Sequence, residues 1–152
     1  MRAVVQRGAR ASVAVEGAIV AQIGIGLVVL VAVETGDDAA DAEALVDKLS
    51  GLRVFPDETG RMDRSVLDVG GEALVVSQFT LAADLRRGRR PSFTAAAEPS
   101  AAEPLVDAVA SGLVHRGVAT SKGSFGAMMA VELVNDGPVT FIIDVRGGAV
   151  VQ

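Results

Sequence analysis

The chain has 152 residues, half of them apolar, and a formal net charge of −5, which suits one domain with a substantial core. The negative balance excludes a protein that coats nucleic acid through its overall field, so any RNA contact must come from a local patch, and DNA is not expected as a partner. With no cysteine there is no disulfide, thiolate zinc site or cysteine nucleophile, and no apolar run is long enough for a signal peptide or a membrane span; a cytoplasmic protein without a membrane partner is expected.

Aromatic residues are only 3% of the chain, with neither Trp nor Tyr, so Val, Leu, Ile and Ala must build the interior. Residues 3–6 and 11–15 cluster β-branched side chains, and Glu16-Gly17 separates the latter from residues 19–23 in an expected hairpin. Residues 27–33 are a continuous apolar run of strand length, the pattern of a central strand buried on both faces. A helix is predicted from Asp37 or Asp38, both suitable N-caps, to about Leu49, with Ala42, Leu45, Val46, Leu49 and Leu52 on one face. Arg53-Val54-Phe55 reads as a short strand and residues 56–60 as a turn. Residues 73–80 begin as another buried strand and end in hydroxyl and amide side chains, which suggests a site at the strand's end.

Residues 82–94 form a basic loop, and residues 101–116 a second helix with the stripe Leu105, Val106, Val109 and Leu113. Further strands are expected around Val118, over 129–134 and over 139–145, the last two joined through Asn135-Asp136-Gly137-Pro138. Those four residue types supply turn geometry between strands, whereas a Gly-Pro pair can also present a close and rigid backbone edge to a ligand. The predicted fold is a single α/β domain over residues 1–152, a mixed, barrel-like β core covered by two main helices.

Few residues suit chemistry. His115, the one histidine, falls away from the apolar stripe of its helix and reads as a surface residue, and no carboxylates are spaced to hold zinc, so neither metal nor cofactor is expected. Ser77 and Thr80 have no base beside them in sequence to activate a nucleophile. They either satisfy backbone groups at the strand end or, with Gln78, donate hydrogen bonds to a carbonyl and its developing oxyanion. Arg86, Arg87, Arg89 and Arg90 put four of the fourteen basic residues into five positions, either a local anion site or a solvated loop.

Gln6-Arg7, residues 52–55, Val76-Ser77-Gln78-Phe79-Thr80-Leu81, residues 88–93, Phe125-Gly126-Ala127 and residues 133–140 together resemble the D-aminoacyl-tRNA deacylases, in the family's order and over nearly the whole chain. The resemblance implies a homodimer in which Gly137-Pro138, joined by a cis peptide bond, enters the partner subunit's pocket beside Ser77, Gln78, Phe79 and Thr80. Backbone oxygens of that motif would face the α-carbon, leaving room for a D side chain and clashing with an L one. By the same resemblance Arg7 braces the motif, Ala102 and Met129 line the pocket, and the aminoacyl-tRNA 3′ end is the partner. The implied reaction is hydrolysis of the D-aminoacyl ester, with the protein orienting the substrate and stabilising the oxyanion while the tRNA's own 2′-hydroxyl assists. A pocket that rejects only an L side chain also admits glycyl-tRNA.

Two departures stand out: Gly8 replaces a branched residue after Gln6-Arg7 and is expected to loosen that strand, and Met128 replaces an acidic residue before Met129. Two alternatives stay open. One is the related achiral editing deacylase, for which a trans Gly137-Pro138 bond is expected. The other is a non-catalytic tRNA-binding module using the arginine loop.

Overall fold

A computed structural model describes residues 1–86 and 88–152. In chain order the elements are β1 (Arg2–Val15), β2 (Ala18–Ile23), β3 (Gly26–Ala32), α1 (Ala39–Gly51), β4 (Phe55–Pro56), β5 (Met62–Arg64), β6 (Glu72–Ser77), a 3₁₀ turn (Phe79–Ala82), α2 (Pro99–His115), β7 (Ala119–Lys122), β8 (Ala130–Arg146) and β9 (Ala149–Val150). The main sheet is mixed, in the order β7-β6-β3-β1-β8-β9 with β2 also paired to β1. β3, β6 and β7 run parallel, whereas β1 is antiparallel to β2, β3 and β8.

β1 is one strand where two pieces are predicted. Its first half pairs with β3 and its second half with β2, so the sheet curls into a half barrel. The β1–β2 hairpin turns at Glu16 and Gly17, with φ of 50° and 81°, the left-handed pair that a two-residue hairpin loop requires. Gly8 lies opposite Gly26 in an unbroken β1–β3 register, whereas the β1–β8 register shifts on both sides of its pairing with Asn135.

The apolar run of β3 is buried on both faces, as its composition predicts. Leu27, Val29 and Val31 enter a core beneath α1 and α2, which contribute Leu45, Val46, Leu49, Val106, Val109 and Leu113. Val28 faces a second core inside the curl with Val13, Ile23, Leu74 and Val76. Each such side chain contributes about 1.5–3 kcal/mol when fully buried, which fixes the register of the central strands. α1 begins with a capping box: Asp38 accepts from the amides of Ala40 and Asp41, and Asp41 accepts from that of Asp38.

Three boundaries differ from the sequence reading. β6 ends at Ser77, and Phe79 to Ala82 leave the sheet as a 3₁₀ turn instead of extending the strand to Thr80. The predicted turn at 56–60 lies in a small hairpin whose second strand, β5, the sequence does not announce; the Asp57 carboxylate accepts from the amides of Thr59 and Arg61 at 2.8 and 3.0 Å. Residues 135–138 do not connect two strands. β8 pairs with β1 on both sides of them, Gln6 opposite Thr140 and Gly8 opposite Asn135, so Asp136 to Val139 bulge out of a single strand opposite Arg7 alone. None of the described helices is long and apolar enough to cross a membrane.

Candidate active site

The carboxyl ends of the three parallel strands open into a pocket of about 380 Å³. β3 supplies Val31 and Val33, β6 supplies Ser77, the connection after β7 supplies Phe125, and α2 closes one side with Ala102 and Val106. This is the edge at which parallel α/β sheets present ligands, because strands end there and loops begin. The Gln78 amide donates to Val31 O at 2.7 Å, ending the ladder, and the chain then tightens into the 3₁₀ turn. The first amides of such a turn, those of Phe79 and Thr80, have no acceptor within it. The Gln78 amide nitrogen donates to Thr80 Oγ1, tying the two side chains together.

Phe79 and Phe93 meet edge to face at the mouth, ring centroids 5.1 Å apart and planes at 67°. Phe79 is 58% exposed, so this pair forms an apolar rim instead of core. Among the described residues, the lining of the pocket contains neither His nor Lys. His115 is exposed near the end of α2, its Nδ1 2.7 Å from Ser111 O.

Ser77, Gln78, Phe79 and Ala102 thus come together, with Thr80 held beside them through Gln78. Met129 is not among the lining residues; it packs against the core inside the curl, its sulfur against Gly123. In the arginine loop, Arg86 is folded back on Asp84 through a fork of 2.9 and 2.8 Å, and Arg86 holds the Asp84 carboxyl down to about 2. Its charge is therefore spent within the loop; Arg89 and Arg90 are exposed, and Arg87 lies outside the described residues.

The second predicted motif lies elsewhere in the chain. The Gly137-Pro138 peptide bond is cis, as the resemblance implies. Arg7 Nε donates to Asp136 O at 2.9 Å, its guanidinium reaches Val54 O, and Asn135 Nδ2 donates to Arg7 O and Val139 O, each at 3.0 Å. Arg7 and Asn135 therefore clamp the bulge from both sides. Asp136 borders a depression with Phe55, Gly71 and Glu72, at the amino ends of β3 and β6. From the bulge to Ser77 is three strand spacings across the sheet and four residues along it, about 14 Å and 13 Å. Within one chain, motif and pocket do not meet. The capping-free Glu98 on the pocket's rim is a residue that the sequence reading missed; only its position before Pro99 marked it.

The family model described as D-Tyr-tRNA(Tyr) deacylase matches residues 4–144. The D-aminoacyl-tRNA deacylase of Roseiflexus castenholzii is 58% identical over 144 residues, 95% of this chain and 92% of that protein. The solved structure of the c-Myc DNA Unwinding Element Binding Protein superposes with a TM-score of 0.90 at 38% identity, covering 97% of this chain and 100% of that one. A second solved structure, described as "a probable eukaryotic D-amino acid tRNA deacylase", has a TM-score of 0.82 at 16% identity, covers 93% and 97% of the two chains, and shares the fold. With 95% of its length matched at this level, the chain belongs to the D-Tyr-tRNA(Tyr) deacylase family.

Proposed function

We propose that the chain hydrolyses the ester between a D-amino acid and the 3′ end of tRNA, and glycyl esters with it, as a homodimer. The observation that carries this reading is the seating of Ser77-Gln78-Phe79, from one of the two motifs of the resemblance, in the wall of an apolar pocket at the carboxyl ends of parallel strands. Water adds to the ester carbonyl, the carbon–oxygen bond to the ribose breaks, and the proton goes to the leaving ribose oxygen. The protein's part is orientation and stabilisation of the oxyanion, for which the Phe79 and Thr80 amides at the start of the 3₁₀ turn are suited.

The chirality filter is Gly137-Pro138 of the neighbouring subunit. The separation of bulge and pocket within one chain supports action in trans, and the clamp by Arg7 and Asn135 supports a rigid edge. Val134, Phe141 and Ile142 are exposed along β8 beside the bulge, and residues 130–143 of that strand have no partner strand on their outer side among the described residues. An apolar open edge of this kind suits pairing with a second copy.

The test is incubation with D-tyrosyl-, L-tyrosyl- and glycyl-tRNA. Cleavage of the D and glycyl esters with the L ester spared is expected; equal cleavage of D and L, or of neither, overturns the reading. Full resistance of glycyl-tRNA overturns the steric filter alone.

A further inference from the structure

Among the described residues Glu98 is the one charged residue that lines the pocket, and the chemistry above leaves it unused. It stands at the N-cap of α2, where a side chain ordinarily accepts an amide of the first turn, yet it makes no capping bond. Its backbone carbonyl alone serves the helix, accepting from the amides of Ala101 and Ala102 at 2.9 Å each. Among the described residues its carboxylate has no ion-pair partner and no hydrogen bond. The segment is nonetheless fixed, because the Ala97 amide donates to Val33 O at 3.0 Å and pins it to the end of β3.

An acidic group at the rim of a pocket that receives tRNA repels the phosphates and weakens binding unless the bound state offers it a cation. On the deacylase reading, the substrate offers one: the α-ammonium of the aminoacyl group, on the carbon next to the ester carbonyl. Deacylated tRNA has none. We propose that Glu98 is a substrate-binding residue that receives this α-ammonium and so makes the pocket favour aminoacylated over deacylated tRNA. After hydrolysis the amino acid carries its ammonium away and acquires a carboxylate. Glu98 is then left facing anions only, which speeds product release.

Glu98→Gln keeps the side chain's shape and removes its charge. The probes are a non-hydrolysable D-tyrosyl-adenosine analogue with an amide in place of the ester, and the same compound lacking the α-amino group. For Glu98→Gln we expect the dissociation constant of the first to rise about three- to fivefold, the scale of a solvent-exposed ion pair, and that of the second to stay unchanged. With D-tyrosyl-tRNA the loss is expected in KM with kcat within about twofold, and inhibition by deacylated tRNA is expected to strengthen. Glu98→Asp is expected to recover part of the lost affinity for the first probe. An equal change for both probes, or no change for either, overturns the proposal. Because both probes are read by binding, failure of the wild-type protein to cleave D-tyrosyl-tRNA would sink the deacylase reading separately.

Discussion

Asn135 decides what residue 137 can be. Its Nδ2 is held by two carbonyls, those of Arg7 and Val139, so its Oδ1 is not free to swing aside. A Cβ on Gly137 would lie 2.4 Å from that Oδ1 and 3.0 Å from the Val139 nitrogen. Gly137→Ala must therefore displace the bulge, while the ladder on either side keeps its pairs. We expect kcat/KM on D-tyrosyl-tRNA to fall at least about a hundredfold, the scale of a misplaced positioning group, with the far-ultraviolet circular dichroism unchanged. Thr80 calls for the opposite expectation. Its hydroxyl accepts from Gln78, and among the described residues neither His nor Lys lines the pocket, so Thr80→Ala should keep its rate within about tenfold of the wild type. A loss of several orders of magnitude in single-turnover kinetics would make Thr80 a nucleophile.

Among the elements, β3 and its neighbours set the site's geometry. The β3–β6 ladder starts at Gly26 opposite Glu72, where a Cβ would stand 1.9 Å from Glu72 O. Backbone cannot yield that far, so Gly26→Ala should cost about 3 kcal/mol or more, read as a fall in the urea midpoint at unchanged slope. Strand ends are held by charge as well: Arg2 and Asp144 face each other across the β1–β8 ladder, with a fork of 2.6 and 2.8 Å. The hydrogen bonds from Arg2 hold the Asp144 carboxyl below its ordinary 3.8, more than offsetting the upward push of burial. A depressed folded value stabilises the protein above the ordinary pKa and ceases to do so as pH falls through the depressed one. Asp144→Asn should thus lower Tm by about 2–4 °C near neutral pH, and the difference should shrink below pH 3.8, as scans across pH will show. These central strands were legible because burial on both faces leaves an unbroken apolar run. β8 was not legible as one strand, because Asn135-Asp136-Gly137-Pro138 has the composition of a turn. What separates a turn from a bulge here is pairing with Gln6 and Gly8, far away in the chain. The 3₁₀ turn at Phe79 was hidden likewise, since the polar end of β6 marks a site without giving its backbone.

At the scale of the whole molecule, the curl of the sheet places the pocket at the carboxyl ends of β3 and β6 and the Gly137-Pro138 bulge toward their amino ends. No hinge within the sheet can join them, because β1 and β3 lie between and both are buried in packed cores. If both motifs act on one substrate, the bulge must come from another copy, which predicts complementation. A Gly137→Ala chain keeps an intact pocket, and a Gln78→Ala chain keeps an intact bulge. Each homodimer is inactive on D-tyrosyl-tRNA, whereas a mixed dimer has one site with both parts intact and one with both broken. Co-refolding equal amounts gives mixed dimers in about half of the population by random closed pairing, so about a quarter of wild-type activity should return. Activity that stays at the level of the separate variants, although mass spectrometry finds the mixed dimer, would place both motifs at work within one chain and overturn action in trans.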